Sequence, residues 1–179
     1  FGHSVSLSND GSIIAIGAPE GNGYTQVYQY NNLTWSQLGN DFIGGGGHKA
    51  GYSVSLSASG NIVAIGSKDA DINGVGYFGK TLLFEYVNGT SWQAIGQEIF
   101  GENSGDRSGE SVSLSNDGSI VVIGAPYNDG NGSNSGHVRV FSVDETQYTS
   151  SPCSGCTDSL AVNYDPYSLI DDGSCQYEG

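Results

Sequence analysis

Gly2-His3-Ser4-Val5-Ser6-Leu7-Ser8 is written three times in this chain. It returns as Gly51-Tyr52-Ser53-Val54-Ser55-Leu56-Ser57 and as Gly109-Glu110-Ser111-Val112-Ser113-Leu114-Ser115. Each copy runs through a short polar turn into an apolar stretch: Ile13-Ile14-Ala15-Ile16-Gly17, Ile62-Val63-Ala64-Ile65-Gly66 and Ile120-Val121-Val122-Ile123-Gly124. Ser-Val-Ser-Leu-Ser alternates small polar with apolar side chains, the period of a half-buried strand. The apolar stretches do not alternate, as expected of strands covered on both faces. A strand-built unit repeated at this length points to a stacked or radial β architecture.

Within the first unit, Asn9-Asp10-Gly11-Ser12 reads as a hairpin turn, with Asp10-Gly11 its strongest signal. Ala18-Pro19 ends the second strand, because proline cannot donate to a ladder. A third strand is predicted over 24–30 and a fourth over 34–42, carrying Trp35. The second unit, about 50–107, repeats the plan, with its third strand at 80–86 and its fourth at 91–100 around Trp92. Trp35 and Trp92 each precede a glycine by four residues, Gly39 and Gly96, a spacing expected to hold the fourth strands in register. The third unit, about 108–149, has strands at 111–115, 119–124 and 137–143 and then no Trp-bearing fourth strand. Four antiparallel strands joined by short links form a meander, and a meander is one propeller blade.

The expected fold is therefore all-β. Blades occupy about 1–49, 50–107 and 108–149, the last lacking its fourth strand, and a small Cys/Asp-rich unit occupies 150–179. Three blades fall short of the roughly four to eight that closed rings use. The expectation is the C-terminal part of a larger propeller, with missing N-terminal blades supplying closure; neighbouring subunits are the alternative. The absence of methionine from a chain opening at Phe1 agrees with a processed or truncated piece.

Composition narrows the function. The chain of 179 residues holds 29 glycines and 11 tyrosines, a profile suited to short strands and tight turns. Its formal net charge is −14, and the five cations, Lys49, Lys68, Lys80, Arg107 and Arg139, are scattered in sequence. Scattered in this way they are expected to form no basic patch that could neutralise phosphates, so nucleic-acid binding is not expected. No apolar run approaches the roughly 20 residues that span a bilayer as a helix. Asn32, Asn88 and Asn131 open Asn-x-Ser/Thr sequons in expected loops. Together with the C-terminal cysteines they favour a secreted or cell-surface protein.

Laid out this way, the repeat resembles the FG-GAP repeats of integrin α-chain propellers and related extracellular proteins. Phe1-Gly2 matches the first half of that motif and Gly17-Ala18-Pro19 the second. The third unit keeps Gly124-Ala125-Pro126 with Ser108-Gly109, while the second has Ala50-Gly51 and Gly66-Ser67-Lys68. The Trp-x₃-Gly element looks like a variant seen in repeat proteins of marine microbes and algae. In that family calcium often sits between the first two strands of a blade, but the turns at Asp10, Ser59 and Asp117 are too short to wrap an ion. A partial calcium pattern falls instead at Asp69, Asp71 and Asn73, where alternate oxygen ligands precede Gly74. An ordinary Asp/Asn-rich turn explains the same residues.

The tail resembles a short C-T-D…NYDP…DDGSC motif found at the ends of secreted marine microbial proteins. There Asp158, Asp165, Asp171 and Asp172 are further candidates for calcium, with turn and cap roles as the alternative. A Cys156–Cys175 disulfide would staple a unit too small for its own core, contributing roughly 3 kcal/mol by chain entropy. Cys153 then pairs with missing sequence or another chain, or displaces Cys156.

No catalytic constellation assembles. Gly-x-Ser-x-Ser lacks the final glycine and the helix of a nucleophile elbow. Gly74-Val75-Gly76-Tyr77-Phe78-Gly79 precedes a strand instead of opening a helix, so the dinucleotide reading fails on context. His3, His48 and His137 share no motif. The third-strand aromatics, among them Tyr28, Phe84 and Phe141, are expected to pack between blades. The expected role is a non-enzymatic extracellular structural or adhesion module contacting a protein or matrix partner through its loops at 20–23, 68–79 and 127–136. A carbohydrate-binding propeller and an accessory domain of a larger secreted enzyme are the alternatives.

Overall fold

The computed structural model of the chain describes residues 1–44, 48–143, 154–155, 170–171 and 176. Among these residues every regular element is a strand. The first sheet comprises β1 (Ser4–Leu7), β2 (Ile13–Ala18), β3 (Tyr24–Tyr30), β4 (Trp35–Gln37) and β5 (Phe42–Ile43). The second repeats it with β6 (Ser53–Leu56), β7 (Ile62–Ser67), β8 (Lys80–Val87), β9 (Ser91–Ala94) and β10 (Ile99–Phe100). The third holds β11 (Ser111–Leu114), β12 (Ile120–Ala125) and β13 (His137–Ser142). In all three sheets the first strand pairs antiparallel with the second and the second with the third, and the inner pair keeps the same register: Ser4 opposes Gly17, Ser53 opposes Gly66 and Ser111 opposes Gly124. A short parallel pair, β14 (Ser154–Gly155) with β15 (Ile170–Asp171), stands apart in sequence.

The expected meanders are present, with one difference in each fourth strand. Instead of running continuously over 34–42 and 91–100, it divides into β4 plus β5 and β9 plus β10, both halves pairing with the same third strand. Gly39 and Gly96 sit at the breaks with φ of 69° and 64°, a region that L side chains enter only with strain. Leu38 N–H and Ile95 N–H still donate to Val27 and Leu83 carbonyls, so each break is a bulge that bends the outer strand.

The inner hairpins are tied by side chains. Ser8 Oγ donates to Asp10 Oδ1 and accepts from Ile13 N–H, and Ser115, Asp117 and Ile120 repeat the arrangement. These bonds hold both carboxyls at about 2, below the usual 3.8. Ser12 N–H is the largest influence on Asp10, and the Ser115 hydroxyl on Asp117.

The core lies between sheets. Ala15 and Val27 of the first sheet pack with Val54, Leu56, Val63 and Ile65 of the second. Ala64, Leu83 and Ile99 of the second pack with Val121, Ile123 and Phe141 of the third. Inner strands lie side by side along the series, joined by near-identical bonds. Ser4 Oγ donates to Gly51 O and Ser53 Oγ to Gly109 O, each at 2.8 Å; Leu56 N–H donates to Ser6 Oγ and Leu114 N–H to Ser55 Oγ, each at 2.9 Å. Further out, the Trp92 indole N–H donates to Leu38 O at 2.9 Å and the ring meets Phe42 edge-on. A Cβ on Gly39 would lie 2.7 Å from that ring, so the glycine is also the seat of the next sheet's tryptophan.

Candidate functional site

Because strands alternate in direction, the starts of β1, β6 and β11 share one face with the β2–β3, β7–β8 and β12–β13 loops. The hairpins at Asp10, Asn32, Asn88 and Asp117 lie at the other. On the loop face three of the five cations converge, although sequence scatters them. Lys49 Nζ lies 3.4 Å from Asp69 Oδ2, Lys68 Nζ 3.5 Å from Asp69 Oδ1, and Arg107 Nε 3.9 Å from the same oxygen. Lys49 and Arg107 occupy equivalent positions, each two residues before the repeat glycine. Both adopt left-handed backbone, with φ of 55° and 53°. Non-glycine residues pay a strain of about 1 kcal/mol or more there, and such outliers concentrate where a side chain must be aimed.

Aromatic rings complete the cluster. Lys68 Nζ stands 4.6 Å from the centre of the Tyr52 ring and Arg107 Cζ 4.9 Å from that of Tyr127. Tyr127 N–H donates to Asp106 O, and Asp106 Oδ2 accepts from Glu102 N–H, Asn103 N–H and Asn128 Nδ2; nearer the surface Glu102 Oε2 lies 3.0 Å from His137 Nδ1. The other two cations are engaged elsewhere, Lys80 with Glu98 and Arg139 with Phe100 O and Ser108 Oγ. Burial pushes the Arg139 guanidinium below its ordinary value, opposed by Glu102 and Asp106. Three cations around one carboxylate leave this spot locally positive on an acidic chain, with Lys49 and Arg107 half-exposed. Such a site can accept an anionic group beside a flat ring.

The residues singled out from sequence are distributed as follows. Asp69 belongs to the cation cluster. Asp71 accepts from Gly74 N–H at 2.7 Å and lies 3.4 Å from His48 Nε2, and Asn73 holds the left-handed position of that turn. The three therefore face different partners, and among the described residues no group of three or more His, Cys, Asp or Glu side chains converges as metal ligands do. Asn32, Asn88 and Asn131 are all exposed, the first two at hairpin tips with positive φ. Asp171 lies in β15, opposite Gly155. Asp158, Asp165, Asp172, Cys153, Cys156 and Cys175 lie outside the described residues. The inter-blade role expected of third-strand aromatics holds for Phe84, 4.5 Å from Phe42, and for Phe141, buried between the second and third sheets. No helix among the described residues is long and apolar enough to cross a membrane.

With this geometry in place, the three sheets are blades of a β-propeller. Residues 101–141, which include β11, β12 and most of β13, match the family profile of the FG-GAP repeat. The chain also superposes on the crystal structure of a candidate 6-phosphogluconolactonase from Bacteroides uniformis with a TM-score of 0.55. That match has 17% identity and covers 82% of this chain. This chain spans only 38% of that one, and the likeness is one of fold. No curated protein matches the sequence.

Proposed function

We propose that this chain is a non-enzymatic extracellular adhesion or structural module, meeting its partner through the loop face. The observation that carries the reading is the convergence of Lys49, Lys68 and Arg107 on Asp69 between Tyr52 and Tyr127. The partner it fits presents acidic groups, as a carboxylate-bearing or sulfated matrix glycan or an acidic protein loop does. FG-GAP-type repeats and the exposed sequons support an extracellular setting. Surface plasmon resonance against an immobilised sulfated polysaccharide tests the reading. Arg107→Gln removes a charged contact worth about 1.5 kcal/mol, so affinity is expected to fall about tenfold. Binding that ignores both Arg107→Gln and Lys49→Gln, or no binding at low salt, counts against it.

The carbohydrate-binding alternative draws on the exposed rings of Tyr77 and Tyr127. It requires binding to neutral sugars that is lost on Tyr127→Ala and insensitive to salt. As an accessory domain of a secreted enzyme, the third reading, the chain would bind without turning substrate over.

A further inference from the structure

Seven steps in which asparagine or aspartate precedes glycine lie among the described residues, and Asn88-Gly89 differs from the other six. In such a step the glycine amide nitrogen can close on the preceding side-chain carbonyl carbon, because no Cβ stands in the way. An N–H held in a hydrogen bond is withdrawn from that attack. Gly11 N–H donates to Ser8 O, Gly23 N–H to Glu20 O, Gly118 N–H to Ser115 O and Gly132 N–H to Asp129 O. Gly74 N–H donates to Asp71 Oδ1 and Gly130 N–H to Asn128 Oδ1. Gly89 N–H finds no acceptor among the described residues.

The turn around that nitrogen is otherwise fixed. Thr90 N–H donates to Val87 O, and the Tyr86 hydroxyl donates to Gly89 O at 2.9 Å. Asn88 and Gly89 are exposed, with φ of 54° and 67°, and a Cβ on Gly89 would meet nothing within 4 Å. A ring formed there displaces no neighbour. The hairpin joins β8 to β9 in the second sheet, which packs against a sheet on either side.

We propose that Asn88 is a site of spontaneous modification, where the side-chain amide is lost and an aspartyl or isoaspartyl residue takes its place. Gly89 N gives its proton to solvent base and bonds to Asn88 Cγ. The Cγ–Nδ2 bond breaks, and Nδ2 leaves as ammonia after taking up a proton. Water then opens the cyclic imide, at Cγ to give aspartate or at the main-chain carbonyl to give isoaspartate; nothing is oxidised or reduced. A glycan on Nδ2 blocks the first step, so glycosylation and cyclisation compete for one side chain. The isoaspartyl product puts one extra carbon into the link between β8 and β9. It therefore disturbs the register in which Val87 opposes Ser91 and Tyr86 opposes Trp92, whose indole ties this blade to Leu38 O of the first.

The test follows the unglycosylated 179-residue chain in mildly alkaline buffer, with peptide mapping by electron-transfer fragmentation to separate aspartyl from isoaspartyl products. Asn88 is expected to convert about fivefold faster than Asn22, Asn73 or Asn131, the factor that one net hydrogen bond is worth. In urea the four rates should converge. Asp71→Ala frees Gly74 N–H and should raise the Asn73 rate by about the same fivefold factor, whereas Asp71→Asn keeps an acceptor and should not. The purified isoaspartyl form should unfold at lower urea than Asn88→Asp, which carries the same charge on an unlengthened turn. Conversion at Asn88 no faster than at the other three overturns the proposal. So does a ranking that persists in urea, or an Asn73 rate indifferent to Asp71→Ala. Equal urea midpoints for the isoaspartyl form and Asn88→Asp would overturn the loosening of the blade contact.

Discussion

Replacing Gly39 by alanine separates what the outer-strand bulge needs from what the neighbouring blade needs. At φ 69° an alanine costs about 1 kcal/mol in any setting. Gly89, at φ 67° with nothing within 4 Å of a built Cβ, measures that cost alone. At Gly39 the new methyl would lie 2.7 Å from the Trp92 ring. The ring must move, giving up its bond to Leu38 O, worth about 1 kcal/mol net. It also gives up its edge contact with Phe42, worth another ~1 kcal/mol. Gly39→Ala is therefore expected to cost about 3 kcal/mol and Gly89→Ala about 1 kcal/mol. In a Trp92→Ala background the two glycine substitutions should cost the same, leaving a coupling energy of about 2 kcal/mol between Gly39 and Trp92. Urea unfolding followed by far-ultraviolet circular dichroism measures all of these, and a Trp35→Phe background lets Trp92 fluorescence report the same transition. Equal losses at Gly39 and Gly89, or additive effects of Gly39→Ala and Trp92→Ala, would refute the inter-blade seat.

Asp10 and Asp117, both held near 2, contribute stability that is present above 3.8 and lost as pH falls towards 2. Asp10→Asn with Asp117→Asn should flatten the fall of the urea midpoint across that window relative to wild type; parallel profiles would contradict this. Asp69→Asn leaves Lys49, Lys68 and Arg107 facing one another without their shared counter-ion. It is expected to cost about 2 kcal/mol at neutral pH in thermal unfolding, and less in high salt. Arg139→Ala removes a guanidinium that ties β13 to Phe100 O and Ser108 Oγ, and should cost about 2 kcal/mol, seen as a lower urea midpoint.

The repeat was legible because the same physical demand recurs three times. Ser-x-Ser-x-Ser must put small hydroxyls against a neighbouring inner strand, and glycine must sit where another backbone passes within contact distance, so both recur literally. The fourth strands were legible in position but not in shape. A glycine four residues after tryptophan is compatible with a register-keeping strand and with a bulge. At Gly39 the incoming Trp92 ring shows what the bulge accommodates. The cation cluster was hidden for a different reason: its members come from three segments, and a charge count along the chain sees only isolation. One sign was available. Lys49 and Arg107 fall two residues before successive repeat glycines, so the architecture that aligns Gly51 with Gly109 also aligns them. Asp69, Asp71 and Asn73 spell an ion-binding pattern by letter, yet in space they serve a salt-bridge hub, a turn hydrogen bond and a left-handed backbone position.

The three repeats are successive blades locked edge to edge through serine hydroxyls and backbone. Amide hydrogen exchange at Leu56 and Leu114 tests this most directly, because each N–H points away from its own blade to Ser6 Oγ or Ser55 Oγ of its neighbour. Slow exchange at both, comparable with the paired amides of β7 and β12, is the expected result. Exchange at both as fast as at exposed turn amides such as Gly89 would mean that the sheets do not stack as described.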